Sequence, residues 1–291
     1  MITPYSHIKT KEQLKERLKI KDDFISSIAD NTAFIMNKCI DVYTDDLIVF
    51  SANEATVVGL FNKQHKLFRE LIACFKSETF GISSILQRIL YETFLKMLYL
   101  IRYGEEAQLN YRLCSYKNRY NFYIEHKDKP SGYFSVRNGK FIADIKHDGF
   151  TIDDIKLAVE NKMKPFGGKN IKQLVAEFED DSLYTSVYGI SSDSIHSDWG
   201  DIHSLYLKQT SQEKHYVANV NFENPNNERY IIALSQMMLD SAIHYINWNS
   251  SDMPQMSCFI PLVNELKRIS MLYSELVMEE YDKPNSQYYT K

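Results

Sequence analysis

At 291 residues and a formal net charge of −4, with 44% hydrophobic and 25% charged residues, the chain has the size and composition of a folded globular protein, one large domain or two small ones. Ten glycines and seven prolines disfavour a turn-rich β-sandwich and favour long helices, and 20 Tyr and 16 Phe supply bulky side chains for the spaces between them. The weakly acidic balance argues against broad nonspecific coating of nucleic acid, while leaving room for a local basic groove. Cys39, Cys74, Cys114 and Cys258 are widely spaced with no Cys-x-x-Cys pair, as expected of free thiols in a reducing compartment. The opening Met-Ile-Thr-Pro-Tyr-Ser-His carries no basic-then-apolar signal, so the expected location is cytoplasmic.

Thr10-Lys-Glu-Gln13 reads as a capping box that opens a short polar helix. Apolar residues then recur at helical spacing from about Asp22 to Phe50 and again from Glu54 to Phe75. Gly81 to Tyr103 is the most apolar stretch and is long enough for a membrane span. Arg88, Glu92 and Lys96 count against one, since a charge near the bilayer centre costs about 2.5–3.5 kcal/mol. A buried helix with a single polar stripe is expected instead, and no membrane as partner. Another helix is predicted from Glu105 to about His126.

From Lys127 to Phe150 the pattern breaks. Lys-Asp-Lys-Pro-Ser-Gly and Arg-Asn-Gly-Lys are turn signals, and the second lies between Tyr-Phe-Ser-Val and Phe-Ile-Ala-Asp-Ile, which suggests a small hairpin. Thr151-Ile-Asp-Asp154 can cap the next helix, Lys164-Pro-Phe-Gly-Gly-Lys breaks it, and helical spacing returns at Ile171 to Phe178. Helical spacing resumes from Leu183. Residues 199–228 are irregular, with Leu205-Tyr-Leu and Tyr216-Val-Ala-Asn-Val as a pair of short strands. Helices are predicted through about Asn247 and over Pro261 to Tyr281. The expected fold is all-α: one helical bundle over 1–291, with core helices at about 22–126 and 168–281 and hairpin or loop insertions at about 127–150 and 199–228.

Chemistry concentrates in the segment from Tyr188 to His203, where Ser192, His196, Asp198, Asp201 and His203 fall within twelve residues of a chain with eight histidines. Tyr188, Ser192 and His196 are four apart in turn, so a helix puts phenol, hydroxyl and imidazole on one face. His196 suits acid–base work near neutral pH. The Gly-x-Ser-x-Gly nucleophile elbow is absent. His196, Asp198, Asp201 and His203 are also the residue types of a metal site, but their spacing matches no strong metal motif, and Asp198 and Asp201 equally suit turns around Gly200. The expected site holds no metal and no cofactor. Arg88 and Glu92, one turn apart, form either a structural ion pair or a guanidinium pre-positioned for an anion. Arg119 and His126 share another helical face.

Arg88-Ile-Leu-Tyr-Glu92 with the later Tyr188-x-x-x-Ser192-x-x-x-His196 resembles a bacterial helical family of unknown function, over roughly residues 55–200. In general shape that family is similar to HEPN-like bundles of toxin–antitoxin, abortive-infection and other anti-phage systems, many of them metal-independent ribonucleases. The resemblance implies His196 as acid–base residue, Arg88 holding phosphate, Glu92 orienting it, and Tyr188 and Ser192 as supporting donors. RNA would be the substrate, and the chain would form a homodimer or join a partner protein of a defence system. The departure is that no Arg lies four to six residues before His196, whereas Arg119 and His126, with six residues between them, fit the HEPN spacing. Three outcomes stay open: Arg88 reaches the site from another helix, Arg119 and His126 are the site, or the chain is a noncatalytic sensor or scaffold. A metal-dependent hydrolase is a weaker fourth.

Overall fold

The computed structural model describes residues 5–20, 23–41, 49–77, 83–129, 132–178, 202, 207–211, 214–218, 227–251 and 253–281. Its helices are α1 (Lys11–Ile20), α2 (Phe24–Asp41), α3 (Glu54–Lys76), α4 (Ser83–Ser115), α5 (Lys117–His126), α6 (Gly132–His147), α7 (Ile152–Glu160), α8 (Ile171–Phe178), α9 (Asn227–Trp248) and α10 (Ile260–Tyr281). Strands β1 (Leu207–Gln209) and β2 (Tyr216–Ala218) pair antiparallel, Leu207 opposite Ala218. The protein is an all-α helical bundle bearing one small two-stranded hairpin among its described residues. None of the described helices is long and apolar enough to cross a membrane.

Several helix starts are written in the sequence. Thr10 Oγ1 accepts from Gln13 N at 3.3 Å and Gln13 Oε1 accepts from Thr10 N at 3.2 Å, which completes the predicted box. Thr151 and Asp154 do the same for α7. Ser51 and Glu54 cap α3, and Asn170 and Gln173 cap α8, by the same reciprocal pairing. Each cap satisfies amide donors that the first turn leaves without carbonyl partners, typically contributing about 1 kcal/mol.

The chain groups into two compact units. One comprises residues 1–48, 61–94 and 182–291. In it α2 packs on α9 and α10, α9 on α10, and α1 on α10. The rings of Phe61 and Tyr245 stack at 4.0 Å, and Phe24 sits between Tyr5 and Tyr273. A fully buried pair, Ser241 donating to Gln64 Oε1 at 2.6 Å, ties α9 to α3 within this core.

The other unit comprises residues 49–60 and 95–181. Its core joins α5, α6 and α7 through Tyr116, Tyr120, Phe141, Ile145 and Ile155. Gly104, at φ 64° and ψ −150°, kinks α4 in a backbone region essentially reserved for glycine. Gln108 Nε2 donates to the Leu100 carbonyl at 3.1 Å across the kink. The helix predicted to begin at Glu105 does start just past this break in helical geometry, but it ends at Ser115, and α5 follows beyond Tyr116. Further on, Phe166, Gly167 and Gly168 all have positive φ. Phe166 tolerates this because its ring is clasped by Tyr99 and Tyr111 at 5.5 Å each.

One sequence expectation is corrected. No hairpin lies between Tyr133 and Ile145; the stretch is α6, and Arg137-Asn-Gly-Lys140 sits inside it. Gly139 costs a helix about 1 kcal/mol relative to Ala. Phe141 and Ile145, one turn apart and each 2% exposed, outweigh that, since burying such side chains is worth about 1.5–3 kcal/mol apiece. The alternation that read as β was the edge of a helical stripe.

Candidate functional site

Tyr188, Ser192, His196, Asp198, Asp201 and His203 lie outside the described residues. Arg88 and Glu92 lie in the first half of α4, where Leu90, Tyr91 and Phe94 are buried. Arg88 Nε donates to Glu92 Oε1 at 3.3 Å, and the two side chains are only 14% and 24% exposed. The helix spacing that suggested the pair thus produces a real, largely enclosed contact. A guanidinium held in this way is oriented before any anion arrives. Lys96, two turns beyond Arg88, is half-buried on the same helix.

Arg119 and His126 both sit on α5, but different groups hold them. Arg119 Nη2 donates to Asp144 Oδ2 at 2.7 Å, and its guanidinium lies over the rings of Tyr116 and Phe141. The His126 ring stacks with Phe122 at 4.3 Å and with Phe134 at 4.4 Å, and its Nδ1 is 2.9 Å from the Phe122 carbonyl oxygen. A carboxylate and two rings engage the arginine, while a carbonyl and two rings engage the histidine.

Reading 127–150 as a hairpin hid a different set of residues. Asn118, Arg119 and Phe122 of α5 face Arg137, Asn138, Lys140, Phe141 and Asp144 of α6 across a groove of about 550 Å³. On a helix, positions 137, 140, 141 and 144 share one face. That spacing was the available signal, and the turn-like Asn-Gly obscured it. Arg112, also missed, is a tie within this unit. It donates to Asn53 Oδ1 at 2.8 Å and to the Asp148 carbonyl, and lies over the Phe150 ring. Asp148 in turn accepts from Tyr116 OH at 2.7 Å, and burial together with that bond pushes the phenol up to about 12.

Among the described residues no group of three or more His, Cys, Asp or Glu side chains could hold a metal ion. The fold and these sites define an all-α protein whose charged side chains are organised along helix faces. The chain belongs to DUF5677, a family of unknown function, which it matches over residues 54–215, more than half its length. The matched stretch includes Arg88, Glu92, Arg119, His126, Tyr188, Ser192 and His196. No curated protein and no solved structure matches the chain.

Proposed function

We propose that this chain is a cytoplasmic, metal-independent endoribonuclease of a bacterial defence or toxin system, HEPN-like in its helical architecture and acting as a homodimer or with a partner protein. The observation that supports the reading is the Arg88–Glu92 pair. A largely enclosed ion pair on the polar stripe of a mostly apolar helix costs desolvation energy that apolar side chains there would avoid. The cost is accounted for if a fixed guanidinium is needed where phosphate charge develops.

In this reading Arg88 holds the scissile phosphate and Glu92 orients Arg88. The ribose 2′-oxygen bonds to phosphorus as the bond from phosphorus to the 5′-oxygen breaks. His196 takes the proton from the 2′-hydroxyl and returns it to the 5′-oxygen, leaving a cyclic phosphate and a 5′-hydroxyl. Tyr188 and Ser192 are supporting donors.

The test is cleavage of RNA by purified protein in the presence of a chelator, wild type beside His196→Ala and Arg88→Ala, with circular dichroism to establish folding. Each substitution is expected to lower the rate by about 10²-fold or more. Equal cleavage by all three proteins removes the assignment. Absence of cleavage by the folded wild type favours a noncatalytic sensor or scaffold, in which Arg88 and Glu92 fix helix register.

A further inference from the structure

Residues 117–147, spanning α5 and α6, carry seven Lys or Arg against three Asp or Glu, a local charge of +4 in a chain of −4. The cations are not equivalent. Arg119 is neutralised by Asp144. Arg137 and Lys140, on the opposite wall of the groove, pair with no carboxylate among the described residues. Arg137 is nonetheless held in place: its Nη1 donates to Tyr133 OH at 2.7 Å and its guanidinium lies 4.7 Å from the Phe122 ring centroid. A cation fixed by aromatic neighbours, with no carboxylate to satisfy it, is arranged for an external anion.

The surroundings indicate which anion. Tyr133 is 60% exposed on the same helix, and its ring, 5.6 Å from the Arg137 guanidinium, borders the cations with an exposed aromatic surface. Lys129 adds charge over the Phe134 ring. Cations that follow a phosphate chain beside an open ring on which a base can stack are the two elements of single-strand recognition. Asn138 lines the groove, and its Oδ1 is buried without a hydrogen-bond donor among the described residues.

We propose that the groove between α5 and α6 binds single-stranded RNA, with Arg137 and Lys140 on successive phosphates and Tyr133 stacked on a base. RNA as the polymer rests on the ribonuclease reading; the phosphate chemistry stands on Arg137 and Lys140 themselves.

The test is fluorescence anisotropy of a labelled single-stranded RNA of about 15 nucleotides, measured with the full chain carrying His196→Ala so that the probe persists. Arg137→Ala/Lys140→Ala is expected to weaken binding about tenfold or more, and Arg137→Lys/Lys140→Arg to recover most of it. Lys156→Ala, which removes a cation outside the groove, is expected to change affinity by less than about twofold. Binding by the double alanine variant within about twofold of its parent, or no RNA binding by the parent, overturns the proposal. Competition by polyglutamate as strong as by unlabelled RNA also overturns it, and assigns the groove to an acidic protein. The two readings fail separately. Groove-dependent binding without cleavage by wild type removes the ribonuclease and keeps the groove; His196-dependent cleavage with binding indifferent to Arg137 and Lys140 does the reverse.

Discussion

Tyr116 shows how one side chain couples core packing to charge. Its ring belongs to the cluster with Phe141 and Ile155, while its hydroxyl reaches Asp148, which lies 3.8 Å from Arg112. Burial, and then the bond to Asp148, disfavour the phenolate, so the folded-state value rises from 10.0 to about 12. A group whose value is raised by folding contributes stability that is fully present below its unfolded value and is lost as pH climbs through the folded one. Wild-type stability should therefore fall as pH rises from about 10 to about 12, measured by urea denaturation at a series of pH values. Tyr116→Phe should cost about 1 kcal/mol at pH 7 through the lost hydrogen bond and flatten that alkaline slope. A variant that keeps the full slope would show that another group carries it.

At the scale of elements, two glycines on helices should respond in opposite directions. Gly139 lies within α6, where an added Cβ would meet no neighbouring atom within 4 Å. Gly139→Ala should stabilise the protein by about 0.5–1 kcal/mol. Gly104 also has open space around it, but its φ of 64° and ψ of −150° strain any side-chain-bearing residue. Gly104→Ala should destabilise by about 1–3 kcal/mol. Thermal unfolding of both variants beside wild type checks the signs, and a shift of the same sign in both would contradict this account. The same pair explains what the sequence discloses. Apolar spacing and caps such as Thr10–Gln13 and Thr151–Asp154 are local, so α1, α3, α7, α8, α9 and α10 were legible from short windows. A pair of short strands was expected as well, but β1 runs over Leu207–Gln209, overlapping the predicted Leu205–Leu207 at a single residue. The break at Gly104 was legible too, since the predicted helix begins at Glu105. Arg137-Asn-Gly-Lys140 was misread because tertiary burial decides it: Phe141 and Ile145 keep α6 helical through a turn-like tetrapeptide. The Arg88–Glu92 contact was legible because it spans one turn of one helix. The groove was not, because it exists only once α5 and α6 pack together.

For the whole molecule, the decisive quantity is how charge is apportioned. The +4 of residues 117–147 leaves −8 on the rest of the chain, so a polyanion is repelled by most of the sequence and attracted by a short stretch of it. Screening shortens both effects to about 8 Å at physiological ionic strength, which favours contacts made directly by Arg137 and Lys140 over long-range steering. Binding should therefore involve few phosphates. Two or three contacts to single-stranded RNA correspond to a slope of log K against log salt of about −1.4 to −2.1, at about −0.7 per contact. Raising KCl fourfold should then weaken binding by roughly 7- to 18-fold, whereas a protein coating many phosphates would lose about 10³ or more. In Arg137→Ala/Lys140→Ala the slope should shrink by about 1.4. Salt titration of RNA anisotropy with the two proteins measures both quantities. A steep slope that survives the double substitution would mean that the cations responsible lie elsewhere in the chain, and that the local positive charge of α5 and α6 is not what draws the nucleic acid.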